Sequence, residues 1–375
     1  MRLFQIIASE KINCQNVLVF AFIPLFILIS GKTNAQNSEQ ISWEEAQRQE
    51  KQWYASQNAK RIADNVLLYQ NNNGGWLKNI DMAKRLDSQD KASLEEKKSG
   101  KFGTTIDNDA THTQMRYLAK VYDETGDKKY GDAFLKGVDF LLAAQYENGG
   151  WPQFYPVREG YYEHITFNDG AMMGVMNLLR DIAFQKEPYD FVDIERRQNA
   201  KEAIDKGLEV ILKMQVRIDG KGTVWCAQHH REDLSPAKAR DYELPSLSGG
   251  ESVGIIKYLM EIQNPSDEVK MAIRESINWF KEHKITGKKV VFVDAPNLPG
   301  GRDRVVVNDP NGDPLWARFN EIGTGRPMFV GRDGIVKDEL NEIEHERRMG
   351  YSYLKNYAQG LLETDYPAWE GRLIK

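Results

Sequence analysis

The sequence predicts an all-α fold, an (α/α)3 toroid of repeated helical hairpins with long glycine-rich loops and one short β-hairpin. The first observation behind this prediction is a repeat, because Asn-Gly-Gly-Trp stands at residues 73–76 and again at 148–151. With a looser copy that ends near Trp225, the tryptophans recur after 75 and then 74 residues. The second observation is that helical patterns fill the chain between these loops. A regular period of this kind is typical of a repeated supersecondary unit.

The first 35 residues are expected to be a signal peptide that does not belong to the fold. Their apolar run at 17–29 is too short to span a membrane comfortably, and positive charges precede it. Thr33 and Ala35 provide the small residues that a signal peptidase requires, whereas an uncleaved membrane anchor is the alternative. Cleavage leaves residues 36–375 as a single domain with Cys226 as its one cysteine, which excludes an internal disulfide framework and a cysteine-rich metal site.

The remaining chain, taken in order, reads as one helix after another. The first helix begins after Ser42, and Glu45 three residues later completes a capping box. Later segments repeat apolar residues at steps of three and four, which predicts amphipathic helices. Only residues 288–296 and 302–309 have the composition of strands, and they predict one hairpin with a loop too long to be tight.

Each period therefore consists of a helix, a polar glycine-rich loop, a second helix and a tryptophan loop. Such units either close into a toroid or stack as an open solenoid. Three long units favour closure, because a solenoid requires more and shorter repeats. The glycines allow the tight turn that returns the chain toward the centre. Each tryptophan then either fills a wedge between helices or lines the mouth of the toroid.

The composition is that of an ordinary globular protein, with 41% hydrophobic and 28% charged residues among 375. The net charge of −5 gives no reason to expect nucleic acid or an anionic membrane as a partner. Aromatic residues make up 10% of the chain, including 8 tryptophans and 16 tyrosines. They predict either a large core or rings that line a carbohydrate cleft.

Two loops that precede predicted helices carry clustered oxygen ligands. The first contains Asp107, Asn108 and Asp109, and the second contains Asn168 and Asp169 at the equivalent point of the repeat. Aspartate and asparagine at these positions are often simple N-caps. The first cluster, however, supplies more oxygen atoms than one cap needs. Carboxylate and amide oxygens together suit a hard cation such as Ca²⁺.

Two further loops are rich in arginine. One carries Arg240, and the other carries Arg318, Arg326 and Arg332 among glycines close to Trp316. Surface salt bridges to the many acidic residues are one interpretation. Several arginines in one glycine-rich run are more typical of an anion-binding wall, because the guanidinium fork matches carboxylates and phosphates. An acidic polymer such as a polyuronate would engage both the arginines and a cation held by the aspartates.

Other enzyme classes lack their signatures in this sequence. No H-E-x-x-H motif is present, and with six histidines a histidine-ligated zinc site has little support. A nucleophile elbow, a P-loop and a dinucleotide-binding fingerprint are also missing. These absences exclude the corresponding metalloprotease, α/β-hydrolase and nucleotide-binding readings.

Four segments, residues 104–156, 164–183, 239–249 and 317–334, together carry a resemblance to a known family. They strongly resemble the family 10 polysaccharide lyases, which are pectate lyases with an (α/α)3 toroid. The likeness runs from about residue 42 to the C-terminus, and its motifs are long and in order. The resemblance implies Ca²⁺-dependent β-elimination on polygalacturonate that yields 4,5-unsaturated oligogalacturonides.

The resemblance also implies roles for the acidic loops. Asp107 and Asp169 match the acidic residues that hold Ca²⁺ against the substrate, and Asn108 lies beside the first of them. The family motif has a small residue, usually glycine, where this chain has Asp109. The extra charge would either tighten Ca²⁺ binding or repel the uronate, so Asp109 is assigned to substrate binding.

For the basic loops, the resemblance makes Arg240 the catalytic base and makes Arg318 and Arg332 binders of substrate carboxylates. Trp151 is expected to form the floor of the cleft. A guanidinium does not readily lose its proton in a protein. Arg240 can act as a base only if nearby cations lower its proton affinity, or else hydroxide is the true base. Either route predicts activity that rises into alkaline pH.

Two rival functions are weighed against the lyase. A glycoside hydrolase of the helical-toroid type would use Asp107 and Asp169 as its acid and base, but neutral sugars need no anion-binding wall. A non-catalytic uronate-binding protein is disfavoured because Arg240 accompanies both aspartates. The sequence thus predicts a polygalacturonate-cleaving monomer exported to the periplasm or the medium, with no nucleic-acid partner and no membrane contact after signal cleavage.

Overall fold

A computed structural model of the protein describes residues 41–98 and 103–373. The expected signal peptide at 1–35 lies outside these described residues. Helices make up most of the regular structure in them. The α-helices are α1 (Trp43–Ala46), α2 (Gln57–Tyr69), α3 (Ser88–Lys97), α4 (His112–Thr125), α5 (Lys128–Ala143), α6 (Ala171–Ala183), α7 (Ile194–Met214), α8 (Glu251–Met260), α9 (Asp267–Glu282), α10 (His345–Gly350) and α11 (Tyr366–Leu373).

Short antiparallel strand pairs accompany the helices. The strands are β1 (Ile165–Thr166), β2 (Arg217–Ile218), β3 (Lys221–Gly222), β4 (Gln228–His229), β5 (Leu247–Ser248), β6 (Lys288–Asp294), β7 (Arg302–Asn308), β8 (Trp316–Ala317), β9 (Phe319–Asn320), β10 (Phe329–Val330), β11 (Val336–Lys337) and β12 (Leu354–Lys355). They form six two-stranded sheets, in which β1 pairs with β4, β2 with β3, β5 with β9, β6 with β7, β8 with β12 and β10 with β11.

The prediction of an all-α toroid is therefore wrong, because the fold mixes helices with strand pairs. The physical reason is that five of the six pairs consist of two-residue strands, which are too short to leave an alternating pattern in the sequence. The exception is the expected hairpin of β6 and β7. These strands pair over seven residues each, with Lys288 opposite Asn308 and Asp294 opposite Arg302. The hairpin prediction is confirmed.

The capping box expected at the first helix is present. Ser42 Oγ accepts a hydrogen bond from the Glu45 amide at 3.2 Å, and Glu45 Oε2 accepts one from the Ser42 amide at 2.9 Å. Each bond satisfies an amide that has no partner within the helix. The side chains of Ser56, Asp193 and Ser266 each accept one hydrogen bond from an amide in the first turn of α2, α7 and α9.

The repeated tryptophans lie in the core and cap the helices that precede their loops. Each indole N–H donates to a carbonyl among the last four residues of a helix, where carbonyl groups lack a helical partner. Trp76 donates to Val66 at 2.8 Å, Trp151 to Leu141 at 2.8 Å, Trp225 to Ile211 at 2.7 Å and Trp316 to Phe280 at 2.8 Å. All four side chains are buried. The rings therefore occupy the first of the two positions predicted for them, the wedge between helices.

A glutamine and a glycine complete the first two copies of the tryptophan loop. Gln70 Nε2 donates to the Gly74 carbonyl at 3.0 Å and to Ala133 at 2.8 Å, and Gln145 makes the matching pair of bonds. Gly74 has φ +95°, and a Cβ there would lie 2.2 Å from a backbone oxygen. Gly149 has φ +97° and meets a backbone oxygen at 2.3 Å. Only glycine fits either position.

The core is arranged so that three loops enter three contacting helices. Helix α4 contacts α5 and α6, and α6 contacts α7 and α8. The loops that lead into α4, α6 and α8 carry Asp107, Asp169 and Arg240, respectively. A smaller apolar cluster, which includes Tyr242, Phe319, Val330 and Tyr353, supports the arginine-rich loops. Within 41–98 and 103–373, no helix combines the length and the apolar character that a membrane crossing requires.

Candidate active site

Asp107 lies in the loop that enters α4 and is almost completely buried, with 2% of its side chain exposed. Its Oδ2 atom forms an ion pair with Lys78 and accepts a hydrogen bond from Gln153 Nε2 at 2.6 Å. Its Oδ1 atom accepts no hydrogen bond from the described residues. A buried carboxylate oxygen without a partner is costly, so this atom is available to a further ligand.

Asn108 and Asp109 follow with left-handed backbones, at φ +50° and +59°. Aspartate and asparagine tolerate this conformation better than other residues with a Cβ. Asn108 Nδ2 donates to Asn79 Oδ1 at 3.0 Å. Both residues line a pocket of about 330 Å³ together with Lys78 and Gln114. The turn thus directs polar side chains into one open pocket.

The carboxyl group of Asp109 is crowded by other acids. Loss of hydration, followed by the negative charges of Asp169 and Asp107, raises the pKa of Asp109. His112 Nε2 lies 3.6 Å from Asp109 Oδ1, but burial lowers the pKa of His112 to about 3 and leaves its ring neutral. The histidine therefore does not neutralise the acidic group. A cation beside these carboxylates would relieve their mutual repulsion.

Asp169 lies in the loop that enters α6 and also has a left-handed backbone, at φ +50°. Its Oδ1 atom accepts from Arg318 Nη2 at 2.9 Å, and its Oδ2 atom accepts from Asn168 Nδ2 at 2.8 Å. The side chain remains 41% exposed. Asp169 is therefore held by an arginine on one side and open to solvent on the other.

Arg318 connects the acidic loops to the arginine-rich loops. Its Nη2 atom donates to Glu251 Oε1 at 2.6 Å as well as to Asp169, and its guanidinium lies 4.9 Å from the centre of the Tyr351 ring. Burial opposes the charge, but the carboxylates of Glu251 and Asp169 outweigh it and raise the pKa of Arg318. The guanidinium is therefore a fixed cation in the resting protein.

Arg240 is paired with a buried carboxylate in its own loop. Its Nε atom donates to Glu243 Oε2 at 2.8 Å and its Nη2 atom to Glu243 Oε1 at 2.5 Å. Nη2 also donates to the Tyr351 hydroxyl at 2.8 Å. The hydrogen bonds to Glu243 raise the pKa of Arg240, and burial opposes the rise only in part. In this arrangement Arg240 is a cation and not a free base.

Arg332 lies near Arg240 but is held by a more exposed partner. Its guanidinium forms hydrogen bonds with Glu346 at 2.8 and 3.2 Å, and it lies 4.7 Å from the Tyr242 ring. Arg240 also faces this ring, at 5.0 Å. Arg326, in contrast, pairs with the exposed Glu321, as expected of an ordinary surface salt bridge. The tyrosine rings thus gather some arginines of the predicted wall and not others.

The predicted position of Trp151 is wrong. Its ring is fully buried, and its indole N–H is bonded to the Leu141 carbonyl. A ring enclosed in the core cannot form the floor of a cleft. The aromatic surface beside Arg240 is provided instead by Tyr351 and Tyr242.

Sequence reasoning missed five residues that hold the predicted ones in place. They are Lys78, Gln153, Glu243, Glu251 and Tyr351. Glu243 carried a signal, because it stands three residues after Arg240 in a loop already selected. The other four lie far along the chain from their partners and carried none.

The donor chemistry of the acidic loops fits a hard cation, although the ligand set is incomplete. Across 41–98 and 103–373, no group of three or more histidine, cysteine, aspartate or glutamate side chains could hold a metal ion by itself. The orphaned Oδ1 of Asp107 and the crowded carboxyl of Asp109 are both oxygen donors, which Ca²⁺ prefers. Further oxygen ligands must come from water or from a bound acid.

Comparison with known proteins identifies the family. The sequence model of the pectic acid lyase family matches residues 70–362. No curated protein sequence matches the chain. A family 10 polysaccharide lyase from Cellvibrio cellulosa superposes with a TM-score of 0.72 at 37% identity, covering 84% of this chain and 94% of that one.

A second solved structure is an aspartate-to-alanine mutant of a family 10 polysaccharide lyase from Cellvibrio cellulosa in complex with trigalacturonic acid. It superposes with a TM-score of 0.72 at 36% identity, covering 84% of this chain and 95% of that one. The resemblance noted in the sequence is confirmed by both comparisons. The chain therefore belongs to the pectic acid lyase family, as one of the family 10 polysaccharide lyases.

Proposed function

We propose that this protein is an exported pectate lyase that cleaves polygalacturonate by β-elimination and releases 4,5-unsaturated oligogalacturonides. The observation that carries the proposal is one continuous contact chain. Asp169 binds Arg318, Arg318 lies over Tyr351, and the Tyr351 hydroxyl binds Arg240. Groups suited to a cation therefore adjoin groups suited to an anion, as an acidic polysaccharide requires.

The reaction needs a strong field around one carboxylate of the substrate. The C5–H bond breaks and its proton goes to a base, the electron pair forms the C4–C5 double bond, and the C4–O4 bond breaks. The departing O4 takes up a proton. Negative charge builds up on the C6 carboxylate during this step, so fixed cations beside it lower the barrier. Arg332, with 52% of its side chain exposed, is free to turn from Glu346 toward such a carboxylate.

Asp107, Asn108 and Asp169 would hold Ca²⁺, and Asp109 would add a further carboxylate beside it. When bound, Ca²⁺ supplies positive charge that stabilises the developing charge on the uronate. Lys78 already contributes one positive charge at this point through its ion pair with Asp107. Asp109 has two consequences, since it strengthens the attraction for a cation and repels an uncompensated uronate.

Arg240 is assigned as the base, with the difficulty that its guanidinium holds its proton tightly. The pairing with Glu243 raises the pKa of Arg240 further above neutrality. The deprotonated fraction therefore increases throughout the alkaline range, and the rate follows it. A lyase of this design is expected to work best well above pH 7.

The remaining proposals concern the state of the whole protein. We take residues 36–375 to be one monomeric catalytic domain that reaches the periplasm or the medium after residues 1–35 are removed. N-terminal sequencing of the secreted protein tests the cleavage, and sedimentation equilibrium tests the monomer. A mature N-terminus before residue 30 or a dimeric mass contradicts the corresponding proposal.

The function is tested by following the ultraviolet absorbance of the unsaturated product. Polygalacturonate is incubated at alkaline pH with Ca²⁺ or with a chelator, and Arg240→Ala serves as the control. We expect absorbance to rise with Ca²⁺ and not to rise with the chelator or the variant. New reducing ends without absorbance would indicate a hydrolase, and binding without cleavage would indicate a uronate-binding protein.

A further inference from the structure

The pairing of Arg240 with Glu243 is built into the backbone of their loop. The Glu243 amide donates to the Arg240 carbonyl at 2.8 Å, and the Ala239 amide donates to the Glu243 carbonyl at 3.0 Å. This tight turn places the two side chains side by side within one loop. The ion pair is also asymmetric, because Arg240 is 43% exposed whereas Glu243 is only 7% exposed.

Tyr351 locks the pair from the C-terminal part of the chain. Its hydroxyl accepts from Arg240 Nη2 at 2.8 Å and donates to Glu243 Oε1 at 2.5 Å. Burial alone would raise the pKa of Glu243, but the hydrogen bonds from Arg240 and Tyr351 outweigh it and lower that pKa. Glu243 is therefore a buried anion whose charge depends on these two partners.

Other charged and titratable groups face the pair from several elements. Tyr242 faces Arg240 at 5.0 Å from the same loop, and Tyr161 interacts with Arg240 from the segment before β1. Arg347 lies 4.3 Å from the Tyr351 ring, and Arg332 shares the Tyr242 ring. Lys238 and Asp241, on the same loop, pair with each other at 3.7 Å. None of these carboxylates and phenols contacts the guanidinium as closely as Glu243.

We propose that Glu243, held by Tyr351, is a positioning residue that orients the Arg240 guanidinium and sets how alkaline the medium must be for turnover. The inference rests on the proposed function of Arg240. A carboxylate in a two-point contact favours the protonated guanidinium, so the proton is released only at higher pH. The same contact fixes the plane of the Arg240 guanidinium group. The orientation of the Arg240 guanidinium and the requirement for alkaline pH thus have the same structural origin.

The test is the pH dependence of kcat on polygalacturonate with saturating Ca²⁺. Glu243→Gln preserves the shape of the side chain and removes its charge. We expect the alkaline rise of kcat to begin about one pH unit lower than in the wild type. At pH values below the rise, kcat expressed as a fraction of each protein's own maximum is then about tenfold higher than in the wild type. Glu243→Asp keeps the charge but shortens the reach, so its rise is expected between the two.

The matched control is Glu370→Gln, which removes the partner of Arg274 from an ion pair of the same type, at 2.9 Å, on α9 and α11. It is expected to leave the pH profile unchanged. A lower maximal kcat with an unshifted rise in both Glu243 variants overturns the inference and makes Glu243 merely structural. Near-ultraviolet circular dichroism establishes whether each variant is folded. If Glu243→Gln is not folded, the pH profile of Glu243→Asp decides whether Glu243 sets the alkaline rise.

The two proposals fail in different ways. If the wild type produces no unsaturated product, the proposed function is wrong. If the wild type is active and Arg240→Ala is inactive, while the Glu243 variants keep the wild-type profile, only the present inference is wrong.

Discussion

Arg318 and Glu251 form the most enclosed ion pair of the site, with Nη2 at 2.6 Å from Oε1 and only 14% and 5% of the side chains exposed. Glu251 is the first residue of α8, where a negative charge is favoured by the helix dipole. The pair joins Arg318, which we propose to bind a substrate carboxylate, to the scaffold. Variants can separate the contribution of the pair to stability from the proposed role in binding.

Arg318→Gln is expected to lower both stability and activity. It leaves the Glu251 carboxylate buried without its cation, which costs about 3 kcal/mol of unfolding free energy. The double variant Arg318→Gln with Glu251→Gln removes both charges and should recover most of that stability without recovering the activity. Urea unfolding and product absorbance measure the two effects. Recovery of activity in the double variant would contradict a binding role for Arg318.

Asp107→Asn is expected to raise the Ca²⁺ concentration needed for half-maximal activity by more than about tenfold, which corresponds to a loss of about 1.4 kcal/mol of binding free energy. The physical reason is that the variant removes a charge whose Oδ1 atom accepts no hydrogen bond within the part of the chain that the structure describes. Titration of Ca²⁺ into chelator-treated enzyme measures the change. Isothermal calorimetry with Ca²⁺ and trigalacturonate tests binding without turnover, and an unchanged Ca²⁺ requirement would contradict this site.

Trp151→Phe is expected to destabilise the protein by about 1–3 kcal/mol and to leave KM unchanged. The variant removes the N–H that pairs with the Leu141 carbonyl and leaves space in the core. Trp225→Phe is the matched variant, because its indole makes the same contact with Ile211. Thermal unfolding should show similar losses for both. A rise of KM in Trp151→Phe alone would restore the cleft role that the burial argues against.

His229 is expected to make stability depend on acid pH. Burial lowers its pKa from 6.5 to about 4, while Nδ1–H donates to the Leu234 carbonyl and Nε2 accepts from the Cys226 amide. Protonation of Nε2 would set its N–H against the Cys226 amide N–H, so that two donors would face each other. Because the folded-state pKa lies below the unfolded value, the contribution is complete above pH 6.5 and is lost as the pH falls toward 4. It amounts to about 3 kcal/mol.

The measurement is unfolding free energy as a function of pH for the wild type and His229→Gln. Glutamine can offer one donor and one acceptor but does not titrate in this range. The variant should be less stable at pH 7 and should lose less stability between pH 6.5 and 4. Parallel curves would show that other groups, such as the buried His112, account for the acid sensitivity.

Part of this fold could be predicted because its signals are local. The tryptophan loops, the capping box at Ser42 and the hairpin of β6 and β7 each depend on residues only a few positions apart in the sequence. The Asp107 and Asp169 loops were found for the same reason. A short segment that must turn tightly and then start a helix restricts its own residue types.

The rest depended on contacts between distant segments. β5 pairs with β9 across more than seventy residues, and neither strand is long enough to show a pattern. Tyr351 and Glu243 are 108 positions apart, so nothing near Arg240 indicated the tyrosine that locks it. The burial of Trp151 was also invisible, because an aromatic residue in a glycine-rich loop suits a cleft as well as a core.

The separation of the tryptophan contacts from the charged loops makes this protein suitable for modular redesign. Asp107, Asp169, Arg240 and Arg318 each enter the site on a different loop, while the indole contacts fix the helices beneath. Exchange of residues 231–246 with Arg240 retained would replace its neighbours in the loop, and the four indole hydrogen bonds lie outside this segment. New specificities for differently charged polysaccharides can therefore be sought one loop at a time.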